Sequence, residues 1–148
     1  MKAISLWQPY ASLVAIGAKK IETRSWPTKY RGPLAIHAAK SFPHEMKKYC
    51  LSDSFTTALY EAGISSSNKL PLHFGVVLCV CHLVNCLPIT QEFVATLNEQ
   101  EKAFGDYTAG RYAWILEDVR MLPEPIPAKG MQRLWQWEMP RTEAMVTP

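Results

Sequence analysis

Between Gly17 and Trp26 the chain concentrates chemistry that its neighbours lack: Gly17-Ala18-Lys19-Lys20-Ile21-Glu22-Thr23-Arg24-Ser25-Trp26. Two ammonium groups, a carboxylate, a guanidinium and an indole follow directly on an apolar segment. In an extended chain Ile21, Thr23 and Ser25 face one way, and Lys20, Glu22, Arg24 and Trp26 the other. Residues two apart on one strand face lie about 7 Å from each other, so Glu22 and Arg24 can converge on a single ligand. Arg24 offers a planar fork to a phosphate or a carbonyl edge. Trp26 is either a stacking platform for a base or part of a core. Lys19 stands where a helix stops and the strand begins. Partial burial beside Lys20 or Arg24 would lower its pKa and make it a base or nucleophile. Pairing with Glu22 would instead keep it charged as an anion clamp, and a plain surface salt bridge is the third option.

Further candidates lie downstream. Lys29 and Arg31 sit on a turn-rich loop and suit backbone phosphates or solvent equally. His37 falls opposite the apolar positions Leu34, Ile36 and Ala38, where a structural role is the commoner one. Glu101 with Asp106 can supply an acid or form turns around Gly105. Tyr107, Arg111, Tyr112 and Trp114 form an aromatic and cationic cluster, readable as a stacking wall or as core. Cys79-Val80-Cys81-His82 does not read as a metal site, because His82 points away from the two cysteines and no second ligand pair is spaced to complete a tetrahedron.

These groups need a frame. At 148 residues, 48% hydrophobic and 20% charged, the chain fits one domain with one core. Net charge is only +3, yet residues 1–40 carry seven Lys and Arg against a single acid, Glu22. That bias suits an anionic partner such as RNA or a nucleotide. The first twenty residues do not read as a signal peptide, since Gln8 and Pro9 interrupt the apolar run. No apolar run approaches membrane-spanning length. Four cysteines without paired loop spacing point to reduced thiols and the cytoplasm.

The pattern predicts a strand over Ala3–Leu6, a helix from Pro9 ended by Gly17, a strand over Lys20–Trp26 and another over Leu34–Ala39. Helices are expected near His44–Leu51 and Ser54–Ala62, with a polar loop over Ser65–Asn68. A central strand is expected over Phe74–Leu87 and a helix over Gln91–Leu97, with Phe93, Val94 and Leu97 inward. Glu99–Gly110 reads as a structured loop and Arg111–Met121 as a strand. On that strand Tyr112, Trp114 and Leu116 share one face. Pro123, Pro125 and Pro127 read as an extended connector, and Leu134–Trp137 as the closing segment. The fold class is α+β: a small, partly open barrel of five or six strands with short helices at its ends. Residues 1–140 read as one domain and 141–148 as a frayed tail.

Ser5-Leu6-Trp7-Gln8-Pro9-Tyr10 followed by Gly17-x-Lys19-x-x-Glu22-x-Arg24 resembles the signature of ASCH domains. The likeness continues through Tyr30-Arg31-Gly32-Pro33-Leu34, Ile36-His37-Ala38, Phe104-Gly105-Asp106, Gly110-Arg111-Tyr112-Ala113-Trp114 and Leu134-Trp135. The resemblance implies a PUA-like barrel that binds RNA or a nucleoside-like ligand in a cleft beside it. Some small members are amidohydrolases that remove an acyl group from N-acylated cytidine with a lysine, a threonine and a glutamate; others are linked to RNA cleavage. The lysine falls on Lys19. The threonine falls on Glu22, a departure from that pattern. The glutamate falls on Glu101, with Glu99 second. The catalytic candidates are therefore Lys19, Glu22 and Glu101. The ligand-binding candidates are Gln8, Lys20, Arg24, Trp26, Arg31, His37, Asp106, Arg111 and Tyr112. No cofactor or metal is expected. An interaction protein holding a peptide or small metabolite is the non-nucleotide alternative.

Overall fold

The computed structural model describes residues 1–61 and 72–140. The expected loop at Ser65–Asn68, the end of the second expected helix at Ala62 and the tail 141–148 lie outside the described residues. The elements run β1 (Lys2–Leu6), α1 (Tyr10–Ala15), β2 (Ile21–Arg24), β3 (Gly32–Ala38), α2 (His44–Tyr49), α3 (Asp53–Glu61), β4 (Val76–Pro88), α4 (Gln91–Ala95), α5 (Glu99–Ala103), β5 (Tyr112–Pro127) and β6 (Trp135–Gln136). They form one six-stranded sheet in the order β2-β5-β4-β3-β1-β6, an α+β arrangement. β1 and β3 are parallel, and every other neighbouring pair is antiparallel.

Strand alternation divides the apolar residues between two sides. Leu34, Ile36 and Ala38 of β3 join Ile4, Leu6, Cys79, Cys81, Trp114 and Leu116 in the main core. Ala35, one residue out of phase, packs instead with Ala3, Val77 and Trp135. The sheet is open but strongly curled. β2 and β1 are separated by three strands in the sheet order, yet the Arg24 guanidinium of β2 donates to the Ser5 carbonyl of β1 at 2.8 Å. The ends of the sheet thus meet through side chains rather than through a closing ladder, which gives a rough barrel.

α1 ends as its sequence predicts. Gly17 adopts φ +83°, a left-handed conformation that glycine takes at little cost. The amides of Ala18 and Lys19 then both bond to the Leu13 carbonyl, at 2.9 and 3.0 Å. This turn aims Lys19 into the interior and starts β2.

Two expectations are corrected. Glu99–Gly110 is not all loop: Glu99–Ala103 is helical, with the Asn98 side chain accepting the Glu101 N–H at 2.8 Å as an N-cap. Nor is the proline-rich segment a connector. β5 runs on to Pro127, with Ile126 opposite Val77 and Pro127 opposite Val76. The β4–β5 register shifts between Val77, opposite Ile126, and Cys79, opposite Met121, so residues 122–125 form a bulge and the missing N–H groups of Pro123 and Pro125 cost no ladder bond. No helix among the described residues is long and apolar enough to cross a membrane.

Candidate functional site

Lys19 is 1% exposed. Its ammonium donates to the carbonyls of Ile21 at 2.6 Å and Phe104 at 2.5 Å, and lies 3.5 Å from Glu22 Oε1. Burial pulls its pKa below the ordinary lysine value, while the nearby carboxylates of Glu22 and Glu101 oppose that shift. Two carbonyls and a carboxylate match the three hydrogens of an ammonium, so the geometry is that of a charged, satisfied group. Glu22 carries the chain of charge outward. Its Oε2 lies 3.0 Å from Arg24 Nη2, the same nitrogen that reaches Ser5. Among the described residues Arg24 Nε is buried without a partner, so this fork is only partly used.

Glu22 and Arg24 form the floor of a cleft of about 750 Å³. Trp7, Tyr10 and Trp26 supply aromatic walls. Trp7 is 49% exposed although large and apolar. Trp26 packs edge-on against the fully buried Trp114, centroids 4.8 Å apart. The Arg133 guanidinium carbon sits 4.2 Å from the Trp26 ring centroid. The opposite wall is Phe104-Gly105-Asp106 with Arg111. It is fixed to β2: the Asp106 amide donates to Thr23 Oγ1 at 3.2 Å, and Arg111 donates to the Asp106 carbonyl at 3.1 Å and the Thr23 carbonyl at 3.3 Å. The Asp106 carboxylate accepts from the Thr108 hydroxyl and amide, and these bonds hold its pKa below the usual carboxylate value.

The cleft thus brings together Glu22, Arg24, Trp26, Asp106 and Arg111. The other candidates stand elsewhere. Lys19 lies beneath the cleft rather than in its wall. Glu101 is 8% exposed and accepts the Lys20 N–H at 2.7 Å. Glu101 and Lys20 line a separate hollow of about 360 Å³, so Glu101 does not converge with Glu22 on the cleft. The reason is where α5 docks: Glu101 takes the Lys20 amide and the Gln100 side chain donates to the Ala18 carbonyl at 3.0 Å, so α5 packs at the start of β2 rather than along its open face. Burial raises the Glu101 pKa, against the pull of nearby amides and lysines, and its Oε2 has no partner among the described residues. Arg31 is exposed and bonds its own loop, at the carbonyls of Thr28 and Tyr30, both 2.9 Å. Gln8 is fully buried, bonded to Ser12 and the His73 carbonyl. His37 is buried in a neighbouring basin. Tyr112 packs against the main core, opposite Arg24 in the β2–β5 register. Cys79 and Cys81 are buried, and no metal-holding cluster occurs among the described residues.

Sequence reasoning missed Trp7, Tyr10 and Arg133 as cleft residues. Trp7 and Tyr10 follow a strand ending at Leu6 and were visible as aromatic residues flanking Gln8-Pro9. Arg133 reaches Trp26 from 107 positions away in the chain, a contact that no local pattern reports.

An ASCH domain family model matches residues 4–126. Activating signal cointegrator 1 from Mus musculus and from Homo sapiens are each 27% identical to this chain over 133 residues. The match covers 90% of this chain and 22% of the relatives' length, so the chain spans under a quarter of those proteins. A crystal structure of ASCH from Zymomonas mobilis superposes with a TM-score of 0.55 at 17% identity, covering 99% of this chain and 93% of that one. A single-substitution mutant of the same protein gives 0.55 at 16% identity, covering 99% and 96%. These structures share the fold. With the family match spanning most of the length, the chain belongs to the ASCH domain family, a PUA-like fold associated with RNA binding.

Proposed function

We propose that the cleft binds a nucleoside unit of RNA, or a free modified nucleoside or nucleotide. The observation that carries this reading is the pairing of Trp26 with Arg24 on one cleft, with Arg111 and Arg133 beside them. An indole gives a base a stacking surface, and guanidinium groups give base edges and phosphates planar donors. The two carboxylates in the lining are already engaged: Glu22 by Lys19 and Arg24, Asp106 by Thr108 and Arg111. The unspent charge facing a ligand is therefore cationic. The four free cysteines agree with a cytoplasmic setting.

A second reading is hydrolysis of an N-acylated cytidine, or of RNA itself. It draws on one observation, the buried Lys19 beside a Glu22 that lines the cleft. Binding is favoured over catalysis because the Lys19 nitrogen is committed to two carbonyls and has no face on the cleft. Two assays separate the readings. RNA affinity that falls with salt and is weakened by Arg24→Ala supports binding; affinity unchanged by that variant contradicts it. Cytidine release from N-acetylcytidine that disappears in Lys19→Ala would establish the hydrolase reading, and no release would reject it. A ligand-induced rise in thermal stability from a peptide alone would point to the interaction-protein alternative.

A further inference from the structure

A second basin, of about 1010 Å³, adjoins the cleft. Ser5, Ala39, Ser41, Met131 and Gln132 line both, so the two hollows share a rim. The floor is His37. Its Nδ1 lies 2.9 Å from Ser5 Oγ and its Nε2 2.8 Å from the Ala128 carbonyl. A carbonyl only accepts, so Nε2 carries the hydrogen and Nδ1 accepts from the Ser5 hydroxyl. Gly130 presses onto the same ring: a Cβ there would fall 2.5 Å from His37 Cε1 and 2.7 Å from Ser5 Oγ. The histidine is therefore a positioning residue that seats the 128–130 segment and presets the basin wall.

The lining chemistry differs from that of an ordinary surface hollow. Lys40 and Lys129 border the basin, both exposed, and no carboxylate lines it among the described residues. Phe74 adds a half-buried aromatic ring, 4.9 Å from Phe42 by centroid. Cations beside an aromatic ring recur here across the rim from the cleft, and among the described residues neither lysine has a carboxylate partner. Together these features suit the backbone and one base of a single strand. A duplex would keep its bases paired and away from both rings.

We infer that the basin is a second nucleotide subsite, and that the ligand is single-stranded RNA crossing the Met131–Gln132 rim from Trp26 to Phe74. This rests on the nucleoside reading of the cleft and extends it from one nucleotide to a strand. Lys40 and Lys129 meet phosphates, and Phe74 takes the second base.

The test compares cytidine monophosphate with cytidine oligonucleotides of increasing length, on the wild type and on the double variant Lys40→Ala/Lys129→Ala. Both lysines are exposed, so the variant keeps the fold. The expected result is that an oligonucleotide binds the wild type about 5- to 150-fold more tightly than the monophosphate, the range one further stacked base supplies. The double variant loses the share of that gain that the two lysines supply through phosphates, and leaves monophosphate affinity unchanged. Its salt dependence is shallower by about 1.4 in the slope of log K against log salt, as for two lost phosphate contacts on a single strand. Monophosphate binding with no length dependence, or a gain undiminished in the double variant, overturns the second subsite and leaves the cleft reading standing. Failure of both monophosphate and oligonucleotide to bind overturns the cleft reading and this one with it.

Discussion

The Arg133 guanidinium lies over the indole of Trp26, 4.2 Å from its centroid. Trp26 follows β2 and Arg133 precedes β6, the two edge strands of the sheet. The stacking surface of the cleft therefore exists only where the ends of the curled sheet meet. A base entering the cleft either shares that surface with Arg133 or displaces it.

Trp26→Leu removes the ring and keeps an apolar side chain against Trp114. It is expected to weaken cytidine monophosphate binding by about 1–3 kcal/mol, the worth of one stacked base. Isothermal titration checks this. Circular dichroism confirms that the fold persists.

Arg24 and Arg31 are seven positions apart and both come from the basic N-terminal stretch, but they should behave differently. Arg24→Ala removes the bond to Ser5 and the partner of Glu22, and is expected to weaken both ligand binding and stability, the latter by about 1–3 kcal/mol. Arg31→Ala removes only bonds within its own loop and is expected to change stability by no more than about 0.5 kcal/mol, with ligand affinity unaltered. Equal losses in both variants would mean that general charge, rather than the cleft, governs binding.

Lys19→Met keeps an unbranched side chain of similar length and deletes the ammonium. Two buried carbonyls and Glu22 then lose their shared donor. Breaking a buried ionic contact by removing one partner costs about 3–5 kcal/mol. Urea unfolding should show a midpoint lowered accordingly. An undiminished midpoint would mean that Lys19 is not a structural clamp and would return it to the list of catalytic candidates.

Glu101 carries a pH signature of definite sign. Its folded pKa is raised above the ordinary value of 4.5 by burial. The folded protein therefore holds this proton more tightly than the unfolded chain does. Its contribution to stability is fully present below 4.5 and declines as pH rises through the folded pKa. Glu101→Gln cannot titrate. The stability of the variant minus that of the wild type should rise across that window and then level off. A difference independent of pH from 4 to 8 would contradict the raised pKa.

Much of this fold was legible because strand alternation and helix punctuation are local. Leu34, Ile36 and Ala38 announced the core face of β3, and Gly17 announced the end of α1. The family resemblance reached nearly the whole chain for the same reason, since its pieces are short and ordered. The failures were of two physical kinds. Pro123 and Pro125 hid the far end of β5, because a proline is excluded from a regular central strand but not from a bulge in one. The second kind is the placement of the site residues relative to one another, which local pattern does not carry. Alternation placed Glu22 and Arg24 together, but that Glu101 lines another hollow depends on how α5 docks. That docking is a tertiary fact, and so is the meeting of Arg133 with Trp26.

The most direct test of the cleft reading is a heteronuclear NMR titration of the protein with cytidine monophosphate. The account predicts that the indole N–H of Trp26 and the amides of Arg24, Asp106 and Arg111 shift together along one binding curve, while those of Arg31 and Lys20 stay in place. Shifts confined to the Lys20–Glu101 hollow, or no saturable shift around Trp26, would contradict it.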